Sequence, residues 1–283
     1  MQFVNETGLP KPVADAIIAV ADGYELKGDI SVTGLAQPVR AYQLTKRHDD
    51  EIVVDVTDLT AILLGLAWHK IMEQGDTPGA IKEKTFTYNS NGWVVSGTTD
   101  LYYKGFIHDH KVTSAMALIF GVKPEWVAQL NCYAEMWRLN GFPVKGFGIM
   151  YVSKDHNENT KKRIGSDYPE KDILNIPISM WSSSKTQEYI STRVLAHQEA
   201  EKLSDADLPM CTPAERWHKQ DTFAVKIKSQ KKAKRVLNSE KEAIDWMKNH
   251  PIDRKYEIEF REGNDARCCK KYCHAKPFCN KGE

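Results

Sequence analysis

The sequence predicts a mixed α/β fold, a mixed central sheet flanked by helices, with a small C-terminal cysteine-bound subdomain. Three observations carry this expectation. Between residues 59 and 152 the spacing of apolar residues passes from helical to alternating and back, in the order helix, three strands, helix, strand. After Pro209 the chain turns basic and loses its apolar periodicity. Four of the six cysteines, Cys268, Cys269, Cys273 and Cys279, then fall within the last sixteen residues. The chain accordingly divides into residues 1–207, carrying the sheet and its helices, and residues 208–283, a basic, cysteine-rich region.

Element by element, the spacing predicts a helix over 13–21, then a turn that Ser31 or Thr33 can cap. Leu59 to Glu73 has apolar residues at helical intervals and stops before Gly75. From Lys84 the period becomes two. Thr85–Tyr88, Trp93–Ser96 and Leu101–Tyr103 are β-prone runs separated by Asn89-Ser90-Asn91-Gly92 and Lys104-Gly105, the punctuation of an antiparallel meander. A second helix is expected from Pro124 to Leu139 and a strand from Val144 to Val152. Asp155 to Arg163 is polar enough to be a loop, Ser184 to Ser204 reads as a helix, and Ser239 to Lys248 as another.

Composition bounds the function. At 283 residues with 41% hydrophobic and 27% charged content, the chain has material for one good-sized core and a small appendage. A net charge of +1 excludes a protein that is basic overall, so any grip on nucleic acid must come from local clusters, such as the six basic residues between Lys226 and Arg235. No apolar run approaches membrane-spanning length, so no membrane partner is expected, and Met1 to Glu6 has neither the basic region nor the apolar core of a secretory signal. A cytoplasmic protein is the resulting expectation. Clustered cysteines in a reducing compartment favour metal ligation over disulfides.

The chemistry-bearing segment is Gly97-Thr98-Thr99-Asp100 to Asp109-His110-Lys111. An acidic residue ends one strand, a tight turn follows, and Asp109 and Lys111 share a face of the next strand. Two neighbouring carboxylates repel unless a hard cation lies between them, the oxygen-rich environment that Mg²⁺ or Mn²⁺ prefers. A lysine beside that cation can stabilise charge on a phosphate under attack or orient the attacking water. His69 and Glu73, four apart on a helix, share a face, and Gly65 one turn earlier is expected to allow a close approach. Gln129 and Tyr133 have the same spacing on the second long helix and offer an amide and a phenol to phosphate oxygens or a base. Glu73 reads equally well as a surface charge, and Cys132 as a small buried apolar residue.

Taken in order, Gly65-x-Ala67-x-His69-x-x-x-Glu73, Gly97-x-x-Asp100, Asp109-x-Lys111 and Gln129-x-x-x-Tyr133 resemble the RecB-type, AddB-like exonuclease branch of the PD-(D/E)XK nuclease superfamily, over roughly residues 30 to 152. The resemblance implies a restriction-endonuclease-like core and Mg²⁺- or Mn²⁺-dependent phosphodiester hydrolysis in DNA. It further implies metal binding by Asp100 and Asp109, with His69 as a further ligand or organiser, Lys111 as the catalytic lysine, and substrate contacts from Gln129 and Tyr133. An exonuclease of replication, recombination or repair would have DNA as its partner and a recombination or replication protein as a second one. A phage origin, which would place the protein in the host cytoplasm, fits the compact layout. The same resemblance leaves room for a non-catalytic DNA-binding module on a nuclease-like scaffold.

Iron–sulfur members of this branch carry one cysteine before the core and three after it as C-x2-C-x5-C. Here the tail reads Cys269-x3-Cys273-x5-Cys279, which keeps the second spacing and lengthens the first, and Gln37 stands about where the upstream cysteine is expected. A fourth thiolate is available from Cys211, with Cys268 as the alternative. Four thiolates suit a [4Fe-4S] cluster or structural Zn²⁺, and the resemblance favours iron–sulfur. Either centre would act as a staple for a region poor in apolar residues.

Overall fold

The computed structural model describes residues 1–21, 26–228, 230–252, 255–264, 269 and 272–280, which fall into two compact units, Met1–Leu203 and Ser204–Glu283. In the first unit, β1 (Gln2–Val4) and α1 (Lys11–Ala21) are followed by β2 (Ile30–Ser31), α2 (Val32–Ala36) and α3 (Val39–Arg47). Ser31 is the residue that caps: its hydroxyl accepts the Gly34 N–H at 2.9 Å. β3 (Val53–Asp55) returns to pair in parallel with β1, and a 3₁₀ turn leads into α4 (Thr60–Glu73).

The predicted meander is present and its strands run longer than their apolar cores suggest. β4 (Ile81–Ser90), β5 (Trp93–Tyr103) and β6 (Phe106–Thr113) are antiparallel neighbours. Both hairpins turn on two residues with positive φ, Asn91-Gly92 and Lys104-Gly105, the backbone twist that matches twisted strands. A short α5 (Ala115–Ile119) and the long α6 (Pro124–Leu139) then cross to β7 (Gly146–Ser153), which pairs in parallel with β6. α6 has the predicted bounds, with proline in its first turn and Asn140-Gly141 beyond its end.

Residues 155–163 are not all loop. Asn157 caps a helix, α7 (Glu158–Ile164), by accepting the Asn159 and Thr160 N–H groups at 3.0 Å, and acidic Glu158 with basic Lys161 to Arg163 suits the helix dipole. β8 (Ile173–Pro177), which the alternation did not reveal, closes the sheet antiparallel to β7, and α8 (Ser183–Glu201) completes the unit. The six-stranded sheet runs β2-β5-β6-β7-β8 with β4 on the other side of β5, so it is mixed, as expected. α6 packs on the sheet with α2 and α8, and its Trp137 stacks on Tyr102 at 4.2 Å between ring centres while Phe86 and Phe142 meet it edge-on.

α4 departs from expectation. It lies against β6 but none of its side chains is fully buried, and a side-chain carbon built on Gly65 meets nothing within 4 Å. Gly65 therefore permits no close approach here. One that does, beside the site, is Gly97 on β5, where a Cβ would lie 2.8 Å from the Tyr133 ring.

In the second unit, β9 (Thr222–Ile227) lies between β10 (Arg235–Leu237) and β11 (Tyr256–Arg261), antiparallel to both, with α9 (Glu240–Asn249) packed against all three. Part of the basic run is thus a strand, and Lys226 pairs with Glu257 and Glu259 on β11. No helix among the described residues is long and apolar enough to cross a membrane.

Candidate metal and phosphodiester site

The site lies where the central strands part. β5 pairs with β2 through Val95 and Ser96 and with β6 only from Leu101 onward. One residue beyond the Leu101–His108 pair, the Asp100 carboxylate takes the place of a backbone carbonyl: its Oδ2 accepts the His110 N–H at 2.5 Å. Across β5 on the other side, Glu83 occupies the register position between Lys82–Leu101 and Lys84–Thr99, with a left-handed φ of 48°. Strand alternation slips at the same point, because Thr99 and Tyr102 both reach Trp137, Thr99 through a 2.9 Å hydrogen bond and Tyr102 by stacking. A non-glycine residue at positive φ is costly, and such strain gathers at functional sites.

Around this fork the side chains are close, with Asp109 and His110 buried and Asp100, His69 and Lys111 half-buried. Asp109 is 2% exposed, and its Oδ2 lies 2.6 Å from the Lys111 ammonium. Burial first, and then the charge of Asp109, push the Asp100 carboxyl up to about 7. Burial also raises Asp109, against the pull of Lys111. From α4, His69 Nδ1 sits 3.0 Å from Glu83 Oε1 and 4.0 Å from Asp100 Oδ1, and its hydrogen bond to Glu83 raises its pKa above the usual histidine value. His110, on the face of β6 opposite Asp109 and Lys111, is pulled down to about 4, by burial and then by the charge of His69.

One ligand atom each from His69, Asp100 and His110 lie within 4.8 Å of one another, and these residues line a cavity of about 280 Å³ together with Glu73, Lys82 and Glu83. Such a donor set fits a divalent cation. Glu73 also pairs with Lys70 at 2.8 Å, in keeping with the surface-charge reading.

Gln129 and Tyr133 stand on the buried side of α6. Gln129 donates to the Tyr133 hydroxyl at 2.7 Å and to Thr33 at 3.2 Å, and burial together with the charge of Asp109 holds the Tyr133 phenol well above its usual range. They form a buried layer beneath the carboxylates. Sequence reasoning missed Glu83 and His110. The first was legible in principle from the meander register opposite Asp100, whereas the second stood in the variable position of Asp-x-Lys.

In the second unit, tight turns fold the tail back on itself: Lys276 N–H bonds the Cys273 carbonyl at 3.1 Å, and Cys279 follows a 3₁₀ turn over Lys276–Phe278. Burial raises the Cys273 thiol, and Cys269 and Cys279 are near enough to raise it further. Arg216 bonds the Cys211 carbonyl at 3.0 Å, and neighbouring Trp217 meets Tyr272 at 5.6 Å, which draws the Cys211 segment toward the tail. The four sulfurs do not form a tight ligand group among the described residues. Cys268 lies outside the described residues.

No protein-family model matches the sequence, and no curated protein matches it. Among solved structures, SSO0001 is 12% identical with a TM-score of 0.47, over 65% of this chain and 85% of its own. A candidate exonuclease from Eubacterium rectale is 17% identical with a TM-score of 0.30, over 70% of this chain and 81% of its own.

Proposed function

We propose that the protein is a metal-dependent deoxyribonuclease, an exonuclease of DNA replication, recombination or repair that hydrolyses phosphodiester bonds with Mg²⁺ or Mn²⁺. The observation that carries the proposal is the fork itself, a buried carboxylate, Asp109, and a half-buried one, Asp100, at a break in strand pairing with Lys111 closed on Asp109 at 2.6 Å. Buried like charges are costly, and burial followed by the charge of Asp109 pushes the Asp100 carboxyl up to about 7. A divalent cation, when bound, supplies Lewis-acid polarisation of the phosphate and a more acidic water.

The chain's own groups do the rest. Asp100 is fixed by the His110 N–H, so its free oxygen is presented at a set position. His69 is oriented by Glu83 as a further ligand or organiser. Lys111, 23% exposed at its side chain, can swing from Asp109 to a phosphate oxygen and stabilise the charge that builds there. Gln129 and Tyr133, bonded to each other in a buried layer on α6, are the proposed substrate contacts.

A thiolate centre on Cys211, Cys269, Cys273 and Cys279, a [4Fe-4S] cluster or Zn²⁺, completes the proposal as a structural staple. Iron with sulfide and a broad visible absorbance in anaerobically purified protein indicate the cluster, whereas zinc in a colourless sample indicates the alternative.

One observation favours a second reading, a DNA-binding module without catalysis: Asp109 already has a cation in Lys111 and is sealed from solvent. Incubating linear and circular DNA with the full chain, with Mg²⁺, Mn²⁺ or EDTA, separates the two. Metal-dependent cleavage lost in Lys111→Ala supports the nuclease, while DNA affinity without cleavage supports the module.

A further inference from the structure

The middle residue of the Asp109-His110-Lys111 run has a side chain that the proposed hydrolysis does not use. His110 is 7% exposed, and its Nδ1 has no hydrogen-bond partner. A buried imidazole nitrogen without a partner calls for one. The ring faces the cavity, 5.4 Å from the His69 ring and edge-on to Trp68 at 6.3 Å. Its backbone N–H meanwhile clamps Asp100 at 2.5 Å, so ring and carboxylate move together. His69 in turn has a carboxylate at its Nδ1, Glu83 at 3.0 Å, the kind of partner a metal-bound histidine usually has.

We propose that the His110 ring is itself a metal ligand, so that His69, Asp100 and His110 form a two-imidazole, one-carboxylate site that selects Mn²⁺ over Mg²⁺. This rests on the metal-dependent reading above and specifies its cation. Magnesium demands oxygen ligands and sheds its water reluctantly, whereas imidazole nitrogens suit first-row transition ions. The three ligand atoms already lie within 4.8 Å of one another, so little reorganisation is needed to close on an ion. Glu83 is a positioning residue here, acting through His69. Its left-handed backbone at 48° goes with the contact its carboxylate makes to His69 Nδ1.

The test uses the full chain loaded with Mn²⁺ alone, without DNA. Pulsed electron paramagnetic resonance counts the nitrogens coupled to the manganese, and competition with Mg²⁺ gives the preference. Two imidazole nitrogens in the native protein, one in His110→Gln, and a Mn²⁺ preference over Mg²⁺ that falls in the variant support the site. One nitrogen or none in the native protein overturns it, a count that stands even if the variant does not fold. The outcomes separate this inference from the nuclease reading. Two nitrogens without DNA cleavage keep the site and sink the nuclease, whereas cleavage with one nitrogen does the reverse.

Discussion

The two metal-binding candidates in this chain are built on opposite principles. Asp100, Asp109, Lys111 and His110 are carried by adjacent strands whose backbone bonds fix their positions with or without a cation. The tail cysteines Cys273 and Cys279 are carried by turns rather than by strands. The first site is preorganised by the fold and stores electrostatic cost until a cation arrives. On the proposed reading, the second would take its shape from a bound metal. Metal should therefore matter to the activity of the first unit and to the folding of the second.

The largest expected effect is on the second unit. Structural thiolate centres contribute on the order of 10 kcal/mol to small domains, so stripping the metal, or Cys273→Ser, should unfold Ser204–Glu283 while the Met1–Leu203 transition stays in place. Calorimetry with domain-resolved hydrogen exchange checks this, and equal loss in both units breaks the comparison.

Next comes catalysis. Asp109→Ala and Lys111→Ala should each reduce metal-dependent DNA cleavage by about 10²–10³-fold, with circular dichroism unchanged. Residual activity within a few-fold of native in either variant removes the assigned centre.

A smaller effect concerns the stored cost. The folded, metal-free protein holds the Asp100 proton up to about 7, above the ordinary 3.8, so it binds more protons than the unfolded chain between those values. Its stability is full below the unfolded value and falls as pH rises through about 7. Asp100→Asn should therefore raise the melting temperature in EDTA at pH 8, by roughly 2–4 kcal/mol of stability, and change little near pH 4. A variant less stable than native at pH 8 contradicts the account. The smallest effect is local: Ser31→Ala, which removes the cap on the Gly34 N–H, should cost about 1 kcal/mol in denaturant titration and leave metal binding unchanged.

What the sequence made legible follows from where the signals are local. Pro124 and the Asn140-Gly141 pair bracket α6, so its bounds could be read directly. Asn91-Gly92 and Lys104-Gly105 fix two hairpins, so Asp100 and Asp109 could be placed on adjacent strands. The start of β4 was hidden because Lys82, Glu83 and Lys84 interrupt its apolar pattern. The polar α7 was missed because its signal is a cap and a charge gradient rather than an apolar stripe. β8 and the three strands of the second unit are short and partly exposed, so their alternation is weak.

The candidate site divides in the same way. Asp100, Asp109, Lys111 and His69 were readable as residue types at set spacing, but the fork was not. It depends on β5 exchanging β2 for β6 as its neighbour, a long-range pairing that turns His110 N–H into a clamp and brings Glu83 opposite Asp100. Gly65 and Gly97 show the same limit, since tertiary packing alone decides that the second is the crowded one.

The most direct test is an anomalous difference map from crystals of the full chain soaked in Mn²⁺. The account predicts one strong peak on the Asp100 carboxylate, beside the His69 and His110 rings that share its cavity. Manganese absent from Asp100 would contradict it.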